Sequence, residues 1–212
     1  MAFPSVDGFA TMLVEQYRMN ELIMQWSSHE LYHDRLVAHG SVASATLGDL
    51  GKFPPEITSP LLFVDTAGAL MYEEVEDSKG ITESKFNYGE TDLVVQVVNE
   101  LLTEGISCEH IGVISPYSAQ VTEIRKALRK DGQLRGIEVS TVDGFQGREK
   151  EIIIISMVRS NPTNTIGFLS NERRMNVAVT RAKKLCVLIG DSATVGKNTF
   201  LKSLCDYFMC NG

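Results

Sequence analysis

The stretch Ile152-Ile153-Ile154-Ile155-Ser156-Met157-Val158 decides the fold. A membrane span needs about 20 apolar residues, so this run is far too short for one. Its β-branched residues stand in an unbroken block rather than in alternation. That pattern marks a strand covered on both faces, as in a parallel sheet. Outward from it, shorter apolar runs at residues 61–64, 111–115, 137–141 and 185–189 read as further strands, and residues 11–16 as another. Between them lie helical patterns at 20–32, 118–130, 171–183 and 199–209. A fifth helix opens at Asn87, which can cap it while Glu90 returns a bond to the Asn87 N–H. Leu93, Val94, Val97, Val98, Leu101 and Leu102 form its stripe and Gly105 ends it. Residues 38–60, with three prolines, read as mostly loop. Residues 68–92 read as an acidic excursion, exposed over 68–86, where Glu73, Glu74, Glu76 and Asp77 cluster.

Strands alternating with helices predict an α/β fold, a mostly parallel central sheet between two helical layers. In such sheets ligands bind beyond the carboxyl ends of the strands. Function is therefore expected in the loops after Ser115, Thr141, Val158 and Ile189.

The chain has 212 residues, 43% hydrophobic and 22% charged, enough for one domain with its own core. Residues 1–7 lack a basic region followed by an apolar stretch, so no signal peptide is read there. Cys108, Cys186, Cys205 and Cys210 form no CxxC pair and are expected to be reduced thiols. The net charge of −7 is uneven. Residues 1–114 carry 5 basic and 18 acidic side chains, while residues 115–185 carry 13 basic and 7 acidic. A basic block in an acidic chain suggests a face for an anion. Arg125, Lys126, Arg129 and Lys130, at helical spacing, equally fit a solvated helix face.

One stretch imitates a phosphate loop. Gly190 ends an apolar run, and Gly196-Lys197 follows. The glycines are separated by five residues instead of four, and Asn198 stands where a hydroxyl would hold Mg²⁺. A strand end followed by a helix cap is the expected structure.

Three clusters carry chemistry: Gln16-Tyr17-Arg18-Met19, residues 140–149 (Ser-Thr-Val-Asp-Gly-Phe-Gln-Gly-Arg-Glu), and residues 173–182 (Arg-Arg-Met-Asn-Val-Ala-Val-Thr-Arg-Ala). Arg18 and Arg181 offer planar forks suited to phosphate oxygens. Gly144 and Gly147 let backbone approach a ligand. Glu149 can accept from ribose hydroxyls, and Tyr17 presents a flat face to a base. Arg173 and Arg174 read first as surface charge.

These clusters resemble motifs IV, V and VI of the superfamily 1B helicases, the up-frameshift-like group. The likeness extends over roughly residues 10–208, through Leu22-Ile-Met-Gln-Trp26, Ala38-His39-Gly-Ser-Val-Ala43, Leu62-Phe-Val-Asp-Thr-Ala-Gly68 and Asp191-Ser-Ala-Thr-Val195. The resemblance implies a RecA-like three-layer sandwich, the second of two such domains that clasp ATP between them. It implies that Tyr17 stacks on the base, that Arg18 meets the γ-phosphate, and that Gly147 and Glu149 lie near the nucleotide. Arg181 would be the arginine finger, and with Arg18 it makes up the catalytic pair. On the single-strand side it implies contacts from Ser115, Pro116, Tyr117, Thr141, Val142, Asp143 and Asn176.

The implied activity is 5′→3′ RNA/DNA unwinding driven by ATP with Mg²⁺, the metal's ligands lying on the first RecA-like domain. The implied partners are single-stranded RNA or DNA, that first domain in cis, and ribosome- or tRNA-associated factors, with no membrane. The implied location is the cytoplasm and the nucleus. The phosphate loop and the Asp-Glu pair of the first domain are not found in these 212 residues. The chain is therefore expected to be a fragment, inactive alone. The competing expectation is a non-catalytic module that binds single strands or a ribosomal partner, motivated by that missing loop and by the acidic 68–92 surface.

Overall fold

The computed structural model describes residues 11–50, 59–76, 84–130 and 136–212. The readings of residues 1–7, of loop residues 51–58 and of Asp77 lie outside the described residues. In chain order the elements are β1 (Glu15–Gln16), α1 (Glu21–Tyr32), β2 (Val37–Ala38), β3 (Leu61–Asp65), β4 (Glu74–Val75), β5 (Lys85–Phe86), α2 (Tyr88–Thr103), β6 (Ile111–Ser115) and α3 (Ser118–Lys130). There follow β7 (Glu138–Thr141), β8 (Lys150–Ser156), α4 (Glu172–Val179), β9 (Ala182–Gly190), α5 (Ser192–Val195) and α6 (Thr199–Asn211).

The central sheet has five strands in the order β3-β9-β8-β6-β7, every pair parallel. The isoleucine run sits in β8 at its middle. Because strand side chains alternate faces, the run divides between two cores. Ile153 and Ile155, with Cys186 and Leu188 of β9, pack beside Trp26, Phe200, Leu204 and Phe208. Ile152 and Ile154, with Leu185 and Val187, pack beside Val94, Val98, Ile124 and Leu128. Helices α1, α4 and α6 thus cover one face and α2 and α3 the other, the expected three-layer sandwich. No helix among the described residues is long and apolar enough to cross a membrane.

Four local expectations need correction. The strand at residues 11–16 shrinks to Glu15–Gln16, which pairs with Val37–Ala38 in a separate two-stranded sheet. The helix expected over 171–183 stops at Val179: Thr180 ends it, and Ala182 already pairs with Lys150 in the sheet. Lys183 and Lys184 hid the start of β9 because they break its apolar run. The capping box is half formed. The Asn87 Oδ1 accepts from the Glu90 N–H at 3.1 Å, but the Asn87 N–H donates to Gln120. Glu90 is fully buried and accepts instead from the Ser156 hydroxyl and the Val158 N–H.

The fourth is the acidic excursion. Glu74–Val75 and Lys85–Phe86 form an antiparallel pair, and residues from Tyr88 onward belong to α2. Glu73 is not exposed; it pairs with the buried Arg159. The phosphate-loop imitation resolves as a strand end with caps. The Asp191 carboxylate accepts from the N–H groups of Ala193 and Thr194, and Asn198 caps α6. The amides that a phosphate would need are already taken.

Candidate functional site

The ends of the sheet carry two different groups of polar residues. Glu149 stands immediately before β8, and Arg181 immediately before β9. Both therefore lie at the amino-terminal ends of the central strands, not beyond the carboxyl ends where sequence reasoning expected function. Arg18 follows β1 and reaches them from the small sheet: its Nε donates to Glu149 Oε2 at 2.5 Å and its Nη1 to the Thr180 carbonyl at 3.2 Å.

Lys183 completes this cluster, 3.1 Å from Glu149 and 3.4 Å from Glu151. A local geometric irregularity puts it there. Lys150 pairs with Ala182, but Ile152 pairs with Leu185, so β9 carries one extra residue opposite Glu151. Such a bulge re-aims side chains. Here it lets both Lys183 and Lys184 reach Glu151. Sequence reasoning gave these lysines no role; a Lys-Lys pair opening an apolar run was the available signal.

Arg18, Glu149, Glu151 and Lys183 line a polar cleft of about 430 Å³ with Tyr17, Ser41, Ala45, Asp49 and Lys184 among its walls; Arg181 does not line it. Tyr17 is 63% exposed, and its ring stacks on His39 with centroids 4.3 Å apart and planes 26° apart. Gly147 does not line the cleft. It turns the chain at φ +79°, a left-handed conformation that suits glycine, two residues before Glu149.

The electrostatics of the cluster around Arg18 are asymmetric. Partial burial opposes the charge on Glu149, but the bonds from Arg18 and Lys183 outweigh it and hold the carboxyl below its ordinary value. Arg181 is different. Its Nε donates to the Val177 carbonyl at 3.0 Å, and its other nitrogens reach the Arg148 carbonyl and the Thr180 hydroxyl. Among the described residues it forms no ion pair. Burial first, and then the adjacent Arg18, push its guanidinium below the usual value. A partly buried cation facing a second cation, without a carboxylate of its own, is suited to an incoming anion.

The second group lies beyond the carboxyl ends of β6 and β7. Pro116, Tyr117, Thr141 and Asp143 line a groove of about 310 Å³ together with Ser84, Ser118, Phe168 and Arg174. Four of the seven residues expected on the single-strand side meet there. Ser115 and Val142 are buried beneath the groove. Asn176 is elsewhere: its amide approaches the Tyr32 hydroxyl at 3.5 Å, on the side of Arg181. Tyr117 borders the groove but is only 2% exposed. Its hydroxyl accepts from Arg159 at 3.2 Å and donates to the Ile166 carbonyl. Arg174, first read as surface charge, pairs with Asp143, and this bond holds the Asp143 carboxyl below its ordinary value. Helix α4 runs between the two sites, with Arg174 in its first turn and Arg181 just past its end.

Comparison with known proteins adds the following. The AAA domain family matches residues 5–193. The chain is 46% identical over 208 residues to DNA-binding protein SMUBP-2 of Mesocricetus auratus, covering 97% of this chain and 20% of that protein. It is 40% identical over 210 residues to DNA polymerase alpha-associated DNA helicase A of Saccharomyces cerevisiae, covering 95% of this chain and 30% of that one. The chain thus spans less than a third of the length of these curated relatives. A crystal structure of the C-terminal domain of a possible DNA helicase from Lactobacillus aligns with 88% of this chain and 96% of that one, at 14% identity and a TM-score of 0.47.

Proposed function

The chain belongs to the AAA domain family, among the superfamily 1B helicases, and on that premise we propose that it is the second motor domain of an ATP-dependent helicase. In this reading the cleft at the amino-terminal strand ends is half of an ATP site, completed by a first RecA-like domain that also holds Mg²⁺. Tyr17, backed by His39, offers its face to the adenine. Glu149 accepts from the ribose. Arg18 and Arg181 meet the terminal phosphate, Arg181 as the finger that stabilises charge developing on the transferring group. The observation that carries this is Arg181 itself, partly buried beside Arg18 and bonded only to carbonyls and a hydroxyl.

The groove at the opposite strand ends serves the nucleic acid. Thr141, Asp143 and Arg174 sit where a single strand's backbone would run, and contacts of this kind grip phosphate and sugar without reading sequence. Movement is proposed to run 5′→3′ on RNA or DNA. The relatives named as DNA-binding protein and DNA helicase support the nucleic-acid side of this reading. The test is Arg181→Ala in a two-domain protein that includes this chain. Strand-stimulated ATP hydrolysis is expected to fall by about 10³–10⁵, and hydrolysis at the wild-type rate would contradict the assignment.

A further inference from the structure

Tyr117 was expected to touch the strand, yet its ring is buried and its hydroxyl is occupied. The aromatic face that the groove does offer belongs to Phe168. This ring is 56% exposed, packs against the Tyr117 ring at a centroid distance of 5.6 Å, and lines the groove with Arg174, Ser118 and Thr141. An exposed phenylalanine alone needs no explanation. What sets this one apart is how firmly its backbone is held.

Phe168 sits in a single tight turn, Gly167–Ser170. On one side of it Leu169 is fully buried in the core, and Ile166 packs against that core from the other. Gly167 adopts φ +53° and lies so close to the Arg159 guanidinium and the Tyr117 hydroxyl that any side chain there would collide with both. The Ser170 hydroxyl bonds back to the Gly167 carbonyl at 2.9 Å. Arg159, in turn, is fixed by the buried carboxylate of Glu73 at 2.8 Å. The turn is thus anchored before and after Phe168, so the backbone that carries the ring is held before any ligand arrives and little backbone ordering entropy is lost on contact.

We propose that Phe168 is a stacking platform for one nucleobase of a bound single strand, with the neighbouring Arg174 meeting the backbone of the same strand. Single-strand sites combine a cationic track with aromatic faces, and stacking tolerates any base because every base has a π-face. The groove supplies both elements within one wall, whereas an apolar peptide would leave Arg174, Asp143 and the groove hydroxyls unmatched. The proposal rests on the single-strand reading given above.

The experiment compares two fluorescent strands of about 12 nucleotides, oligo-dT and its abasic counterpart, by anisotropy with this chain at low salt. Phe168→Ala is expected to weaken oligo-dT binding about tenfold and to leave the abasic strand unchanged. Phe168→Trp is expected to restore the preference for bases, and circular dichroism checks that both variants fold. Unchanged oligo-dT affinity in Phe168→Ala, or an equal loss on both strands, would overturn the stacking role alone. A wild-type chain that binds neither strand would overturn the single-strand reading and the stacking role with it.

Discussion

Arg159–Glu73 and Arg18–Glu149 are the same chemical pair, placed at opposite ends of one sheet. The first, at 2.8 Å, has side chains only 4% and 7% exposed. The second, at 2.5 Å, has side chains 35% and 40% exposed. Around the first, every direction is used. Glu73 Oε2 also accepts from the Ser160 N–H and the Asn161 amide, and Lys85 approaches Oε1 at 3.3 Å. Around the second, one side opens onto the cleft. A buried pair with satisfied hydrogen bonds is a fixed part of the scaffold, and removing one partner strands a charge. A half-exposed pair contributes little to stability and can exchange partners. The structure therefore fixes the geometry behind the groove and leaves the charges at the cleft half-exposed.

That contrast breaks most easily at its buried member. Glu73→Ala leaves Arg159 without a counter-charge and is expected to cost about 3–5 kcal/mol of unfolding free energy in urea. A loss well below that would show that the pair is not a structural anchor. The next effect comes from Glu90, which holds Ser156 and Val158 just before Arg159 in the chain. Burial lifts its carboxyl from 4.5 to about 7, against the pull of the Ser156 and Val158 bonds and with the Asp191 charge nearby. The folded chain thus keeps a proton that the unfolded chain has already released. This contribution is fully present below pH 4.5 and is lost as pH rises through about 7, a change of about 3 kcal/mol. In Glu90→Gln that dependence should vanish, so the stability gap to wild type should shift across this window. A constant gap would contradict it. Glu149→Gln marks the small end of the scale, with less than about 1 kcal/mol of stability lost. A larger loss would make the two pairs alike and remove the contrast.

Much of this was legible in the sequence. Residues 111–115 and 118–130 are a strand and a helix with the bounds read from apolar run and helical spacing, because each buries a face next to its chain neighbours. The sandwich followed from the unbroken isoleucines. Less legible was anything set by partners distant in the chain. Arg159 follows an apolar run, but its carboxylate is 86 residues away. Glu73 looked like one more charge in an acidic stretch. Glu90 looked like half of a capping box, although burial assigns it to Ser156. The amino-terminal placement of Arg18, Glu149 and Arg181 was hidden as well, because Arg18 meets Glu149 across 131 residues of chain.

The most direct measurement concerns the separation of the two ends. Single-strand binding by this chain would be titrated against salt for the wild type, Arg174→Ala and Arg181→Ala. Arg174→Ala is expected to weaken binding and to reduce the slope of log affinity against log salt by about 1, the loss of one phosphate contact. Arg181→Ala, at the other end of the strands, is expected to leave both affinity and slope at wild-type values. Equal losses in the two variants would contradict the account, because they would place both arginines on one phosphate track.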